Sequence, residues 1–165
     1  MRTPTRIAPL HPDHAGELLT LQRAAFVPEA QRYQEPFLPP LLDTLEHLHS
    51  LIANPTVPTL GAWQGHRLVG AVRGMIKGPR MELARLAVAP DRQAQGIGGA
   101  LIQALENAAP PQITTLWLAT GTQSTEALTL YKRHGYVQVS QHPDTAGILL
   151  TILEKPRPQP EKPHS

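Results

Sequence analysis

The sequence predicts a single domain of mixed α/β class, and three observations carry that reading. Its 165 residues suit one domain. Segments of helical and of strand periodicity interleave along the chain rather than separating into blocks. Near the middle, a strand pattern runs straight into a glycine-rich turn and then a helix pattern. With 41% hydrophobic residues, a chain of this length buries roughly two-thirds of its unfolded surface and needs no covalent staple.

Residues 6–10 read as a short first strand. Residues 13–26 read as a helix, with Leu18, Leu21 and Ala25 at spacings of three and four. Residues 27–40 hold four prolines with Glu29, Tyr33 and Glu35 among them, and read as a long irregular connection of the kind that often carries function. A second helix is expected from Pro40, a favoured first-turn residue, through Leu41, Leu45, Leu48 and Ile52 until Asn54 and Pro55 stop it. The signal then changes to strands, over 59–64 and 67–76 around Gly65 and His66, and over 81–89 after Gly78 and Pro79. Gln95, Gly96, Ile97, Gly98 and Gly99 lead into a helix over 100–109 with Leu101, Leu105 and Ala108 on one face. A strand follows over 113–120, then a helix over 124–134 with Ser124 as N-cap and Gly135 at its end. Two antiparallel strands, 136–140 and 146–153 around His142, Pro143 and Asp144, complete the order β-α-α-β-β-β-α-β-α-β-β. The domain is bounded at 1–154, and the proline-rich stretch 155–165 is expected to be a disordered tail.

Composition removes several classes of function. Without cysteine there is no thiol nucleophile, no Cys-ligated zinc and no S-acyl-enzyme. Lys and Arg number 15 against 13 Asp and Glu, and a net charge of +2 is too small to act as a nucleic-acid field. Aromatic residues, at 4%, leave little surface for base stacking. No apolar run approaches the roughly 18 residues of a membrane span, and the first ten residues lack a signal-peptide core. A soluble, cytoplasmic protein with no nucleic-acid or membrane partner is expected. Of the eight histidines, His47 and His49 lie on different helix faces, His11 and His14 flank a helix start, and no His-Glu-x-x-His occurs, so no metal is expected.

A glycine-rich turn at a helix start exposes unpaired N–H groups beside the positive end of the helix dipole, an arrangement that binds phosphate or pyrophosphate. A dinucleotide fingerprint needs a third glycine where Leu101 stands, and no Gly-Lys-Ser/Thr of a Walker loop is present. The remaining pattern, Gln93-x-x-Gly96-x-Gly98, resembles the acetyl-CoA-binding motif of the GNAT superfamily of N-acetyltransferases. The run Arg85-Leu-Ala-Val-Ala-Pro90 looks like the family's fourth strand, and Ala127-Leu-Thr-Leu-Tyr-Lys-Arg-His-Gly-Tyr136 looks like its second signature. The element order is similar over residues 6–153.

The resemblance implies a mostly antiparallel central sheet flanked by helices, and transfer of acetyl from the co-substrate acetyl-CoA to a primary amine of a small molecule or peptide. Direct attack by the amine is the simpler scheme where no cysteine exists. The implied cofactor-binding residues are Leu86, Ala87 and Val88 through their main chain, then Gln93, Ala94, Gln95, Gly96, Ile97, Gly98 and Gly99, with Ser124 where many relatives carry Asn. Gln95 stands where relatives often have Arg, with Arg92 as a compensating cation.

Tyr131 is the implied general acid for the thiolate; the alternative is core packing beside Leu128. A phenol near 10 facing a thiol near 8.5 makes that proton transfer uphill by only about 2 kcal/mol. Glu82 lies at an offset where some members carry the general base; the alternative is a strand-end carboxylate facing solvent or pairing with Arg80 or Arg73. Against a lysine-like amine, an ordinary carboxylate base faces a gap of roughly 8 kcal/mol, so it needs a raised pKa, a water relay or a free amine. Glu29 and Tyr33, with Glu35 as a further carboxylate, lie in the stretch that lines the acceptor side in similar proteins. Lys132 and Arg133 either meet the CoA 3′-phosphate or form a solvated face. A non-catalytic acyl-CoA-binding module is the alternative to an enzyme, and a homodimer through the C-terminal strands is a further expectation.

Overall fold

Seven strands form one sheet in the computed structural model, which describes residues 3–158. They are β1 (Arg6–Pro9), β2 (Thr59–Gln64), β3 (Arg67–Lys77), β4 (Arg80–Val88), β5 (Thr115–Gly121), β6 (Val137–Pro143) and β7 (Leu149–Pro156). The helices are α1 (Ala15–Tyr33), α2 (Pro39–Leu42), α3 (Leu45–Ala53), α4 (Ile97–Ala108) and α5 (Thr125–Arg133). Across the sheet the order is β1-β2-β3-β4-β5-β7-β6. Every neighbouring pair is antiparallel except β4–β5, which α4 joins as a crossover.

The residues Leu68 to Gly74 of β3 are buried without a break, as expected of a strand covered on both faces. Helix α4 supplies one cover: Leu101, Ile102 and Leu105 are fully buried, each contributing about 1.5–3 kcal/mol by leaving water. The other cover is α1, which packs on β3 and β4 with α3 beside it.

Three local expectations are corrected. Helix α1 does not stop near 26 but continues through Pro28 to Tyr33, so the irregular connection shrinks to the few residues before α2. Pro28 removes the N–H that would bond Ala24; Ala24, Val27 and Pro28 are all exposed, so water takes that carbonyl and the helix survives. The helix expected over 40–52 is broken at Asp43, whose extended backbone lets Thr44 cap α3 through a bond from the His47 N–H (3.1 Å). Strand β7 passes the expected limit at 154: Lys155 and Pro156 pair with β5, and the Arg157 N–H donates to the Thr114 carbonyl (2.9 Å). The rest of the expected tail, 159–165, lies outside the described residues.

A buried carboxylate ties these layers together. Glu106 of α4 accepts from the Tyr136 hydroxyl (2.7 Å) and from Lys155 of β7 (3.0 Å). Burial, with the bond to Glu106 behind it, raises the Tyr136 pKa and keeps the phenol a donor.

Candidate active site

Strands β4 and β5 are held by only three residue pairs, Arg80–Thr115, Met81–Leu116 and Glu82–Trp117. Beyond Glu82 they diverge, β4 running on to Val88 and β5 to Gly121 without another pair. The cause lies in β4. Its register with β3 slips between Ala71 and Arg73, so Arg85 and Leu86 share the place opposite Val72, and Arg85 takes φ +54°. A bulge of this kind bends a strand and sharpens its twist. The β5-facing edge of Leu86, Ala87 and Val88 is thereby left open, and the Gln93 side-chain amide folds back to donate to the Val88 carbonyl (2.9 Å).

The glycine-rich turn closes one end of that opening. Gly96 takes the N-cap of α4 at φ +79°, a conformation that favours glycine, and Ala94 helps the reversal at φ +60°. No side chain caps the helix, and its first bond runs from the Ala100 N–H to the Gly96 carbonyl (3.1 Å). Among the described residues the N–H groups of Ile97, Gly98 and Gly99 therefore have no acceptor. The two later glycines also make room for α5: a Cβ at Gly99 would meet His134 at 2.8 Å, and one at Gly98 would meet Leu130 at 3.3 Å.

Side chains near the turn face elsewhere. Gln95 accepts from Gln64 at the end of β2 (3.1 Å), and Arg92 donates to the same Gln64 (2.8 Å) while pairing with Asp91 (2.9 Å). Asp91, gripped by Arg67 through two bonds of 2.7 and 2.8 Å, is held down to about 2.

A directed chain of hydrogen bonds joins α1 to the start of α5. The Gln123 N–H donates to the Tyr33 hydroxyl (3.0 Å), Tyr33 lies 2.7 Å from the Ser124 hydroxyl, and Ser124 donates to Glu29 (2.6 Å). An ionised carboxylate only accepts, so the single Ser124 proton goes to Glu29 and Tyr33 must donate to Ser124. Ser124, only 1% exposed, thus binds across to α1 instead of capping its own helix. Tyr131, about two turns further along α5, is partly buried against Tyr136, with ring centroids 6.2 Å apart, and its hydroxyl makes no hydrogen bond among the described residues. Burial, reinforced by the charge on Glu29, pushes its pKa up to about 12.

A second cluster forms around β4. Glu82 is partly buried at the last β4–β5 pair; burial raises its pKa, against the opposing pull of Arg85 and Arg73. Burial also pushes up Asp43, in the α2–α3 corner, but bonds from Arg85 (3.1 Å) and Gln22 (2.7 Å) with the two guanidinium charges hold it below its ordinary value. Gln22 also donates to the Pro40 carbonyl (2.8 Å), which fixes that corner on α1. Arg73 lies 3.8 Å from Asp43.

Residues 18–136 match the model of the acetyltransferase (GNAT) family. The chain belongs to the GNAT acetyltransferase family. Among solved GNAT folds it is similar to the ribosomal-protein-S18-alanine N-acetyltransferase of Escherichia coli, at 18% identity over 98% of this chain and 99% of that one, with a TM-score of 0.74. It is similar too to the PaiA N-acetyltransferase of Thermoplasma acidophilum in complex with coenzyme A, at 19% identity over 93% and 99% with a TM-score of 0.74. YncA of Salmonella typhimurium, solved with its cofactor acetyl-CoA, matches at 12% identity over 98% and 99% with a TM-score of 0.78. No curated protein sequence matches the chain.

Beside those of the β4 edge and the glycine turn, the expected site residues on this GNAT fold fall into two groups. Glu29, Tyr33, Ser124 and Tyr131 gather where α1 meets α5, while Glu82 stands in the other cluster. Glu35 accepts from the Phe37 N–H of its own loop (2.9 Å). Gln22, Asp43 and the side chain of Arg85 were not singled out by the sequence. One signal was available: Arg73 is a charge inside the apolar run 68–76, where a buried strand has no cheap place for it. Among the described residues no three His, Asp or Glu side chains gather as a metal site, and no helix is long and apolar enough to cross a membrane.

Proposed function

We propose that this protein transfers an acetyl group from acetyl-CoA directly to a primary amine of a small molecule or peptide. The observation that carries the reading is the pairing of an uncapped α4 N-terminus with an open β4 edge. Free N–H groups at Ile97, Gly98 and Gly99 suit a pyrophosphate, and an unpaired strand edge at Leu86, Ala87 and Val88 suits the amides of a pantetheine arm. The donors needed at that turn are main-chain groups, so Gln95 in place of Arg leaves them intact. Acetyl-CoA supplies the activated acyl group when bound.

The chain's own residues handle protons. The attacking nitrogen forms a bond to the acyl carbon as the carbon–sulfur bond breaks; nitrogen loses a proton and sulfur gains one. Glu82, raised by burial, takes the first directly or through water, and Tyr131 gives the second. At about 12, Tyr131 is fully protonated at neutral pH, and its free hydroxyl has its donor available. Donation to a thiolate near 8.5 is then uphill by about 5 kcal/mol, a gap that narrows as the same dry cleft raises the thiol. An N–H on the open β4 edge meets the developing oxyanion.

Calorimetric titration with acetyl-CoA, with NADH and ATP as controls, tests the reading. Micromolar binding of acetyl-CoA alone is expected; no binding would remove the enzyme and leave the fold.

A further inference from the structure

We propose that the acceptor amine carries a carboxylate close to its nitrogen, held by Arg73 and Arg85 while the nitrogen faces Glu82. The inference rests on the N-acetyltransferase reading and names the class of its second substrate.

Arg73 is 6% exposed, yet its side chain makes no hydrogen bond among the described residues. Its Nε is sealed from solvent without a partner, and its Nη2 lies 3.8 Å from Asp43 Oδ2, beyond hydrogen-bond reach. A guanidinium has five donors, and buried donors are nearly always filled. Asp43 does not fill them: its Oδ2 accepts from Gln22 and from Arg85 Nε and stays 3.8 Å from Arg73. Two guanidinium groups thus face one carboxylate, which bonds only that of Arg85.

Arg85 is the accessible member. Its side chain is 26% exposed, and only its Nε is engaged, which leaves the terminal nitrogens free for a planar, two-pronged grip on a carboxylate. The left-handed backbone at Arg85, costly for a residue with a Cβ, sits at the bulge that turns β4 away from β5. Glu82 lies three residues earlier on the same strand, partly buried, and its carboxyl makes no hydrogen bond among the described residues. One face of the opening therefore offers an unbonded carboxylate and an unfilled guanidinium pair, with Asp43 neutralising one positive charge. A zwitterion such as an amino acid matches both ends. A polycation leaves the Arg73 donors empty and meets two positive charges.

Calorimetry on the CoA-loaded protein, which cannot turn over, separates the possibilities. The probes are alanine, leucine and phenylalanine against their α-carboxamides, with acetyl transfer measured on the same set. At least one acid is expected to bind about tenfold or more tightly than its amide. Arg85→Asn, a residue that tolerates the left-handed conformation, should erase that preference without changing acetyl-CoA affinity, and Arg85→Lys should restore part of it. Equal binding of acids and amides, failure of every acid to bind, or a preference that survives Arg85→Asn would overturn the inference. Acetyl transfer without acid preference would overturn this site alone; acid preference without acetyl transfer would overturn the transferase reading alone.

Discussion

The two sides of the β4–β5 opening are built from different materials. On the α4 side the groups on offer are main-chain N–H donors at Ile97, Gly98 and Gly99, set by one positive-φ glycine. Nearby side chains, Gln95 and Arg92, are turned toward Gln64. On the α1 side the groups are side chains: Gln22 from α1, Asp43 from the α2–α3 corner, Arg73 from β3, Glu82 and Arg85 from β4. A main-chain cradle tolerates side-chain change, and a side-chain cluster does not. The first suits a ligand handled alike by many proteins, the second a ligand that must be told apart from others.

The largest effect is expected outside both sides, where α1 meets α5. Tyr131→Phe should lower turnover by about 100-fold with acetyl-CoA affinity unchanged, read from steady-state rates beside calorimetry. Equal turnover would make Tyr131 a packing residue and leave the chemistry to the two sides alone. Next, Glu82→Gln should lower kcat/KM by about tenfold or more near neutral pH. A base must be ionised, so the unmodified protein should gain activity as pH rises through a Glu82 pKa above its ordinary 4.5. The variant should lose that limb of the pH profile; a limb that persists would move the base elsewhere. The smallest effect belongs to the main-chain side. Gln95→Ala should change the acetyl-CoA Kd by less than about threefold, and a larger loss would mean that side chains matter there too.

The same division explains what the sequence could disclose. The glycine turn is contiguous, so its spacing with the strand before it and the helix after it could be read directly from 85–109. The side-chain cluster draws on residues from 22 to 85, and nothing in the local pattern at Gln22 or Asp43 announces a partner. Helix α1 outruns its local signal: Pro28 is an ordinary stop, and its exposed position, a tertiary fact, decides otherwise. Ser124 is legible in sequence as the residue before α5, but its side chain bonds Glu29 rather than the helix, and only the fold discloses that. Lys155 has the sequence signature of a tail residue because its partner, Glu106, lies far off in helix α4.

The short seam at Arg80, Met81 and Glu82 has a mechanical side. Resistance to bending across a sheet comes from the ladder of bonds that crosses the fold line, and here that ladder occupies one end only. The leaf β1-β2-β3-β4 and the leaf β5-β7-β6 are each laced along their length, so compliance concentrates at their common spine. Anything seated between the leaves acts as a wedge, bracing both at the far end from the spine. Glu82 sits on the spine itself, where opening and closing displace it least.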